Sequence, residues 1–312
     1  MQAQGKLSSD YLAALPHRAE IARRLTKIWN FERWSAPEKY ASNWFYTRND
    51  GLQNQAVLFV TPDPATTGRA LLDPNTLSPD GTVSLRTRAI SADGRLLAYA
   101  LSNGGSDWQI WHVREMATGT DLPDTLRWSK AGDATWLKDG SGFYYTVFDA
   151  PRSADALKAA NQYEKLYFHK LGTPQSQDVL AYTRSDDRDW FVGAEVTDDG
   201  HSLVIQANHG DEVQNTLLVQ DLSSAGAAIK AVIAKPTAVY GFVGNIGSEF
   251  FVLTDDAAPR YRLIAIDLAQ PDARHRRTVV PEGHDTLVAV RLVGGQLVAQ
   301  YLQDAHSAVL RA

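Results

Sequence analysis

The sequence has no cysteine among its 312 residues. A chain without cysteine has no disulfide framework, no zinc–thiolate site and no cysteine nucleophile. Its stability must come from a buried core, and with 44% hydrophobic residues the chain is long enough to form a large one. The absence of cysteine does not separate the cytoplasm from the periplasm as a location.

Long apolar runs and clusters of one charge are also lacking. No stretch reaches the roughly 18 apolar residues of a membrane span, and the N-terminus lacks the charged-then-apolar pattern of a signal peptide. Lys and Arg are scattered, and the net charge is only -5. We therefore predict a soluble, cytoplasmic protein that binds neither nucleic acid nor membranes.

The motifs of several enzyme classes are missing as well. No G-x-S-x-G nucleophile elbow occurs, and the eight histidines form neither H-x-H nor H-E-x-x-H. We predict no metal site and no cofactor. Gly104-Gly105-Ser106-Asp107 precedes no P-loop lysine and is interpreted as a turn. The acidic pair Asp186-Asp187 is assigned to a solvated loop, and the pair Asp198-Asp199 to a hairpin turn. These assignments account for both pairs, although a role as glycosidase carboxylates stays open.

What the sequence does contain is a repeated unit, complete once between Gly81 and Trp108. The turn signal Asp93-Gly94 is followed by an apolar run of strand length, Leu96 to Ala100. After a polar break, Trp108 to Val113 alternates apolar and polar residues. The unit predicts three strands of one small antiparallel sheet.

The same pattern recurs along the chain at intervals of roughly 45 to 60 residues, the period of a four-stranded propeller blade. The turn-then-strand signal recurs at Asp139-Gly140, Asp199-Gly200, Gly244 to Gly247 and Gly294-Gly295. The strand-then-turn signal recurs at Val57 to Val60, Ile110 to Val113, Leu166 to His169, Leu217 to Val219 and Leu263 to Ile266. We predict an all-β fold, a β-propeller of about six recognisable four-stranded blades, with Trp108, Trp136 and Trp190 in blade cores.

Three segments depart from the repeat. Ser8 to Phe31 has helical periodicity interrupted by Pro16, so we predict an N-terminal helical segment over residues 1–39 and a propeller over 40–312. Asp149 to Gln162 lengthens one interval and is predicted to be an inserted loop. The last repeat lacks its fourth strand, which predicts a fragment truncated in its sixth blade.

Several segments, in order, resemble the prolyl oligopeptidase family of serine peptidases. They are Gly51 to Gln55 with Val57-Leu58, Leu72 to Asn75, Asp80 to Val83, Gly105 to Trp108, Leu122 to Asp124, Leu166 to His169, Leu171 to Thr173 and Tyr261 to Ile264. The resemblance implies a seven-bladed propeller followed by an α/β-hydrolase domain with a Ser-Asp-His triad, which cleaves short peptides after proline. Only the propeller and part of the preceding helical segment are matched, so the resemblance assigns no catalytic residue to this chain, and the chain alone is predicted to be inactive.

The resemblance also implies roles for three propeller residues. Asp107 matches an aspartate that pairs with a substrate-binding arginine of the hydrolase domain, Arg86 a residue near the domain interface, and Phe191 an apolar position of the substrate pocket. A turn-capping role for Asp107 and a core role for Phe191 stay open. The sequence departs from the family pattern at Asn208 and Asp211, where the family often has an arginine and a small residue, and at Ala131, where an aromatic residue is common.

We therefore predict a gating domain that admits only short, flexible peptides to a serine peptidase site. Its expected partners are the α/β-hydrolase domain, absent from this chain, and short proline-containing peptides. The alternative is a free-standing propeller scaffold that binds a protein partner. A third class, a propeller enzyme with a channel-lining metal, would need converging histidines and carboxylates.

Overall fold

A computed structural model describes residues 2–151 and 161–311. It divides the chain into two compact units, Met1–Leu85 with Asn103–Gly105, and Arg86–Ser102 with Ser106–Ala312. Six antiparallel sheets follow one another along the chain. The predicted fold class, an all-β propeller of six blades preceded by a short helical segment, is confirmed. The division at residues 39 and 40 stays a prediction.

The first unit contains two helices and one sheet. Helix α1 spans Gln2–Ala13 and helix α2 spans Arg18–Trp29, so the break between them contains Pro16. No residue of α2 is buried, which leaves its apolar side chains exposed. The sheet has five strands: β1 (Arg33–Trp34), β2 (Glu38–Tyr40), β3 (Asn43–Asn49), β4 (Val57–Thr61) and β5 (Arg69–Leu72). Both described helices are too short to cross a bilayer.

The second unit contains five sheets, in each of which consecutive strands pair in chain order. Their strands are β6 (Ser84–Ile90), β7 (Leu96–Ser102), β8 (Trp108–Glu115) and β9 (Asp121–Lys130); β10 (Ala134–Trp136), β11 (Gly142–Val147), β12 (Lys165–Lys170) and β13 (Val179–Thr183); β14 (Trp190–Val196), β15 (Ser202–His209), β16 (Asn215–Asp221) and β17 (Lys230–Ile233); β18 (Tyr240–Ile246), β19 (Glu249–Thr254), β20 (Arg262–Asp267) and β21 (Arg277–Val280); and β22 (Thr286–Val293), β23 (Gln296–Gln303) and β24 (His306–Arg311). Short 3-10 helices occupy Pro74–Thr76, Gln175–Gln177 and Ala273–His275.

The repeated Asp-Gly turns have one geometry. In each, the glycine lies in the left-handed region and the aspartate Oδ1 accepts the amide two residues later; the glycine φ angles are 72° at Gly94, 71° at Gly140 and 77° at Gly200, and the oxygen–nitrogen distances are 3.0 Å for Asp93, 2.9 Å for Asp139 and 3.0 Å for Asp199. Glycine adopts this conformation without steric cost, and the aspartate satisfies a donor that the hairpin leaves free. The turn chemistry therefore determines where each first strand ends.

Neighbouring sheets of the second unit share their cores. Trp111 of β8 and Trp136 of β10 lie in one buried cluster with Phe143 of β11, and the Trp136 indole donates to the Ala89 carbonyl of β6 at 3.0 Å. Burial of a large apolar side chain contributes about 1.5–3 kcal/mol. Trp136 and Trp190 are buried as predicted, whereas Trp108 is only half-buried.

The predicted inserted loop joins β11 to β12. Residues 152–160, most of that loop, lie outside the described residues. Its described flanks are Phe148 to Pro151 and Asn161 to Glu164, and Tyr163 has a positive φ of 55°. The last sheet has three described strands, β22 to β24.

Candidate functional site

Arg86, Asp107 and Phe191 lie at the same end of their sheets. Arg86 is the third residue of β6, Phe191 the second of β14, and Asp107 belongs to the connection between β7 and β8. In an antiparallel sheet whose strands pair in chain order, the first strand begins at the end where the second strand joins the third. We call this the upper end.

Four aromatic rings connect the sheet of β6 to β9 with the sheet of β14 to β17 at the upper end. The Trp108 ring lies 5.6 Å from that of Trp128 and 6.4 Å from that of Phe148, and the Phe148 ring lies 6.5 Å from that of Phe191. All three contacts have edge-to-face geometry, which aromatic pairs favour. Phe148 is buried, while the other three rings are half-buried. This upper aromatic cluster thus presents three partly accessible rings.

Trp128 was not singled out from the sequence, and its backbone is unusual. Its φ is 69°, a left-handed conformation that is rare for a bulky residue, and its carbonyl accepts the Phe148 amide at 2.8 Å. Such a conformation persists where the surroundings hold it in place. Ala131, where the family pattern has an aromatic residue, also has a positive φ, of 45°. Trp128 supplies an aromatic ring from three residues earlier in the chain.

Asp107 is exposed, and its carboxylate makes no hydrogen bond among the described residues. The turn is capped instead by Ser106, whose hydroxyl accepts the Trp108 amide at 3.1 Å. Asp107 acts electrostatically on Lys130, whose ammonium lies 4.1 Å from the centre of the Trp108 ring and donates to Asn161. Burial lowers the pKa of Lys130, and the charge of Asp107 opposes that lowering. Asp107 therefore has free acceptors at the upper end.

Arg86 and Phe191 complete the predicted set. Arg86 is exposed and has no ion-pair partner within residues 2–151 and 161–311. Phe191 pairs in register with Asn208 of β15, and it is half-buried, so one side of its ring stays accessible. Asn208 donates to the carbonyls of Gly210 and Glu212 at 3.0 Å and 3.2 Å, so the departure from the family pattern here serves the adjacent loop. Asp211 of that loop is exposed.

Glu164, which sequence analysis missed, contacts the residue that follows Phe191 in β14. Its side chain belongs to a residue only 5% exposed, and its Oε2 accepts the Val192 amide at 2.8 Å. Burial raises its pKa to about 7. A glutamate beside a strand carries no sequence signal of burial, so only the structure reveals it.

A buried cluster of ionisable side chains surrounds His169 on β12, and the His169 side chain is itself fully buried. Its Nε2 lies 2.9 Å from Asp124 Oδ1 and its Nδ1 lies 2.7 Å from Asp178 Oδ1. Burial opposes protonation of the imidazole, but the two carboxylates outweigh it and raise the pKa of His169. The Gly172 amide donates to Asp124 Oδ1 at 2.6 Å. Three of the segments that resemble the peptidase family therefore meet in this His169 cluster.

Asp199, Asp186, Asp187 and His209 each have local partners. Asp199 accepts the Thr197 hydroxyl at 2.6 Å in its hairpin, and Asp186 pairs with Arg184 at 2.6 Å. Asp187, Asp189 and His209 place one ligand atom each within 4.8 Å of one another. The Asp187 carboxylate already accepts the Trp190 indole at 3.2 Å and lies 3.2 Å from the His209 ring, so hydrogen bonding accounts for this group.

Comparison with protein families gives one match over nearly the whole chain. Residues 1–311 match the model described as "Prolyl oligopeptidase, N-terminal beta-propeller domain". A prolyl endopeptidase of Elizabethkingia meningoseptica is 35% identical over 311 residues, covering 98% of this chain and 43% of that protein. A dual function macrocyclase-peptidase of Galerina marginata is 29% identical over 312 residues, covering 92% of this chain and 42% of that protein. The chain thus spans less than half the length of these relatives.

Solved structures agree. One of two prolyl endopeptidases studied for inter-domain dynamics has a TM-score of 0.82 and 34% identity, with 99% of this chain and 44% of that chain covered. Prolyl oligopeptidase B from Galerina marginata, bound to a 35mer hydrolysis and macrocyclization substrate, has a TM-score of 0.90 and 26% identity, with 99% and 46% covered.

Proposed function

This chain belongs to the prolyl oligopeptidase family as its N-terminal β-propeller domain, and from that premise we propose that it filters peptide substrates for a serine peptidase domain that cleaves after proline. The observation that carries the proposal is the upper end, where an exposed carboxylate without a hydrogen bond among the described residues and half-buried aromatic rings occur at the same end of their sheets. A surface of this kind suits contact with both a second domain and a peptide.

Asp107 is the interdomain contact in this proposal. Its carboxylate accepts no hydrogen bond from the described residues and its turn is capped by Ser106, so the fold of the blade does not depend on it. A carboxylate accepts a guanidinium in bidentate geometry, which fixes the orientation of that group. Asp107 would thereby orient a substrate-binding arginine of the peptidase domain.

Phe191 and the neighbouring rings form the propeller's part of the substrate pocket. Rings that are half-buried and held edge-to-face offer rigid apolar contact area at small entropic cost. Arg86, at the same end, contacts the domain boundary. Phe191 thus contributes to substrate affinity, whereas Arg86 adds a rim charge of small effect.

Filtering follows from the geometry of a propeller that covers a hydrolase site. A narrow axial channel admits extended, flexible peptides but not folded proteins, and it keeps bulk water from the reacting groups. The chain has no G-x-S-x-G motif. We accordingly assign the nucleophile, base and oxyanion hole to the peptidase domain.

The test joins this chain to the peptidase region of the Elizabethkingia meningoseptica relative. We expect the fusion to hydrolyse a chromogenic short peptide after proline and to leave a folded proline-containing protein uncut. The chain alone is the control and should be inactive. Post-proline hydrolysis by the purified chain alone, or equal cleavage of the folded protein by the fusion, would overturn the proposal.

A further inference from the structure

The start of β14 is held by the segment at the end of the inserted loop, just before β12. Three consecutive residues contact it. The side-chain amide Nε2 of Gln162 lies 3.4 Å from Asp189 Oδ1, and the backbone amide of Tyr163 donates to the Arg188 carbonyl at 2.8 Å. Glu164 Oε2 accepts the backbone amide of Val192 at 2.8 Å. We call residues 162–164 the strap. Phe191 lies between two of the residues that the strap binds, so the strap determines where this ring sits.

Glu164 is the buried end of the strap, and a neutral acid suits its surroundings. The carboxyl is 5% exposed and no charged side chain of the described residues contributes to its titration; burial raises its pKa from 4.5 to about 7, and the Val192 amide and Thr146 hydroxyl only partly oppose that rise. The Thr146 hydroxyl is itself buried without a well-formed hydrogen bond among the described groups. A protonated carboxyl can accept from Val192 and donate to Thr146, which serves both groups.

The charged residues of the surrounding elements have other partners. Lys165 of β12 pairs with Asp149, and Lys130 of β9 contacts Trp108 and Asn161. Before β14, Arg188 lies 3.6 Å from Asp189. Along β14, Glu195 is exposed, and Asp198 and Arg291 are its charged neighbours. An ionised Glu164 would therefore be a buried charge without a compensating cation in the described part of the chain.

We propose that Glu164 is a positioning residue: as a neutral acid it fixes the start of β14 and hence Phe191, and its ionisation releases the strap and lets the ring move. Ionisation requires water to reach the carboxylate, and the strap is the segment that can open to admit it. The effect on substrate rests on the proposed function, whereas the effect on the strap does not.

The direct test is amide hydrogen exchange at Val192 in this chain, as protection factors between pH 5 and 9. Wild type should lose Val192 protection as the pH rises through about 7, because the carboxyl then ionises. Glu164→Gln, which keeps an acceptor and a donor but no charge, should keep the protection across the range. Glu164→Leu should lose it at every pH, since the amide has no acceptor.

Glu195→Gln is the matched control, because it removes an exposed carboxyl from β14 itself, and Val192 is not among the groups that act on that carboxyl. It should leave Val192 protection and its pH dependence as in wild type. Unchanged protection in Glu164→Leu, or a wild-type profile identical to that of Glu164→Gln, would overturn the proposal.

Global stability provides a readout that survives if one variant folds poorly. A pKa raised from 4.5 to about 7 corresponds to a roughly 300-fold rise in the unfolding equilibrium constant of wild type between those pH values. Glu164→Gln should lack this component, and equal pH dependence of both proteins would count against the proposal. In the fusion enzyme, KM for the short peptide should rise with pH only when Glu164 is present. If Val192 exchange behaves as expected while KM does not, the assignment of Phe191 to the substrate pocket is wrong and the strap mechanism stands.

Discussion

The His169 cluster and the upper end show two opposite uses of charge in one unit. Around His169, each ring nitrogen meets a buried carboxylate, and the backbone at Gly172 is held by the same group. At the upper end, Asp107 and Arg86 are exposed and bind no charged partner within the described residues closely enough to form an ion pair. Charges satisfied inside the domain maintain the fold, whereas charges left free are available to another domain.

The largest expected effect breaks the buried side of this comparison. His169→Ala leaves the carboxylates of Asp124 and Asp178 buried without their shared cation, which should cost about 3–5 kcal/mol of unfolding free energy. Chemical denaturation followed by tryptophan fluorescence measures it. His284→Ala, at an exposed residue, is the control and should change the free energy by less than about 0.5 kcal/mol. A small loss in His169→Ala would mean that the cluster is not a stabilising ion network.

Stability should also depend on pH. Glu164 and His169 both predict that the free energy of unfolding falls as the pH rises, but over different pH ranges. The pKa of Glu164 is raised by burial, so between pH 4.5 and about 7 its carboxyl ionises in the unfolded chain but stays neutral in the folded one. The free energy of unfolding should therefore fall by about 3 kcal/mol over this range. The raised pKa of His169 adds stability that is fully present below 6.5 and lost as the pH rises through its folded-state value. Denaturation curves across pH 4.5–9 should show falling stability in wild type, with the first window missing in Glu164→Gln.

Asp107→Asn tests the exposed side. The change removes charge but keeps size, and because the carboxylate has no hydrogen bond among the described residues, the chain alone should lose less than about 0.5 kcal/mol. In the fusion enzyme, a misplaced substrate-binding arginine should lower kcat/KM roughly a hundredfold. Unchanged kcat/KM would remove Asp107 from the domain contact, and a large stability loss would return it to the blade as a structural residue.

Arg86→Gln is expected to have the smallest effect. An exposed charge with no described ion-pair partner contributes little to stability, and a rim charge acts mainly through the salt dependence of association. We expect a change in kcat/KM of a fewfold at low salt that disappears at about 1 M salt, where the Debye length is about 3 Å. A large, salt-independent loss would place Arg86 within the substrate pocket.

Most of the fold could be predicted from the sequence because each blade repeats one local signal. The turns at Asp93, Asp139 and Asp199 need a left-handed glycine and an aspartate acceptor, and both are visible in the letters. The short strands β1 and β2 carry no such turn; β1 lies within the N-terminal segment predicted over residues 1–39, after its helical stretch Ser8 to Phe31, and β2 crosses the end of that segment. They became strands because they pair with β3, a contact that local sequence does not encode.

The site was less predictable. Asp107, Arg86 and Phe191 were proposed through family resemblance, and chain-order pairing explains why they share one end. Trp128 and Glu164 were missed because their importance depends on backbone conformation and burial, which arise from contacts between sheets. Three of the segments that resemble the family form the His169 cluster, a buried network in which every member needs its partner.

The shared cores give the second unit a nearest-neighbour form of cooperativity. Each buried cluster joins two successive sheets, as Trp111 and Phe143 do for one pair and Leu263 and Leu297 for the last pair. Stability in such an array is approximately a sum of sheet terms and interface terms, so disruption spreads between neighbours and fades with distance. A disruption of the sheet of β22 to β24 should therefore weaken mainly the sheet that shares its core, β18 to β21. The strap and Phe191 contact other sheets, so the upper end should respond to such a disruption only weakly.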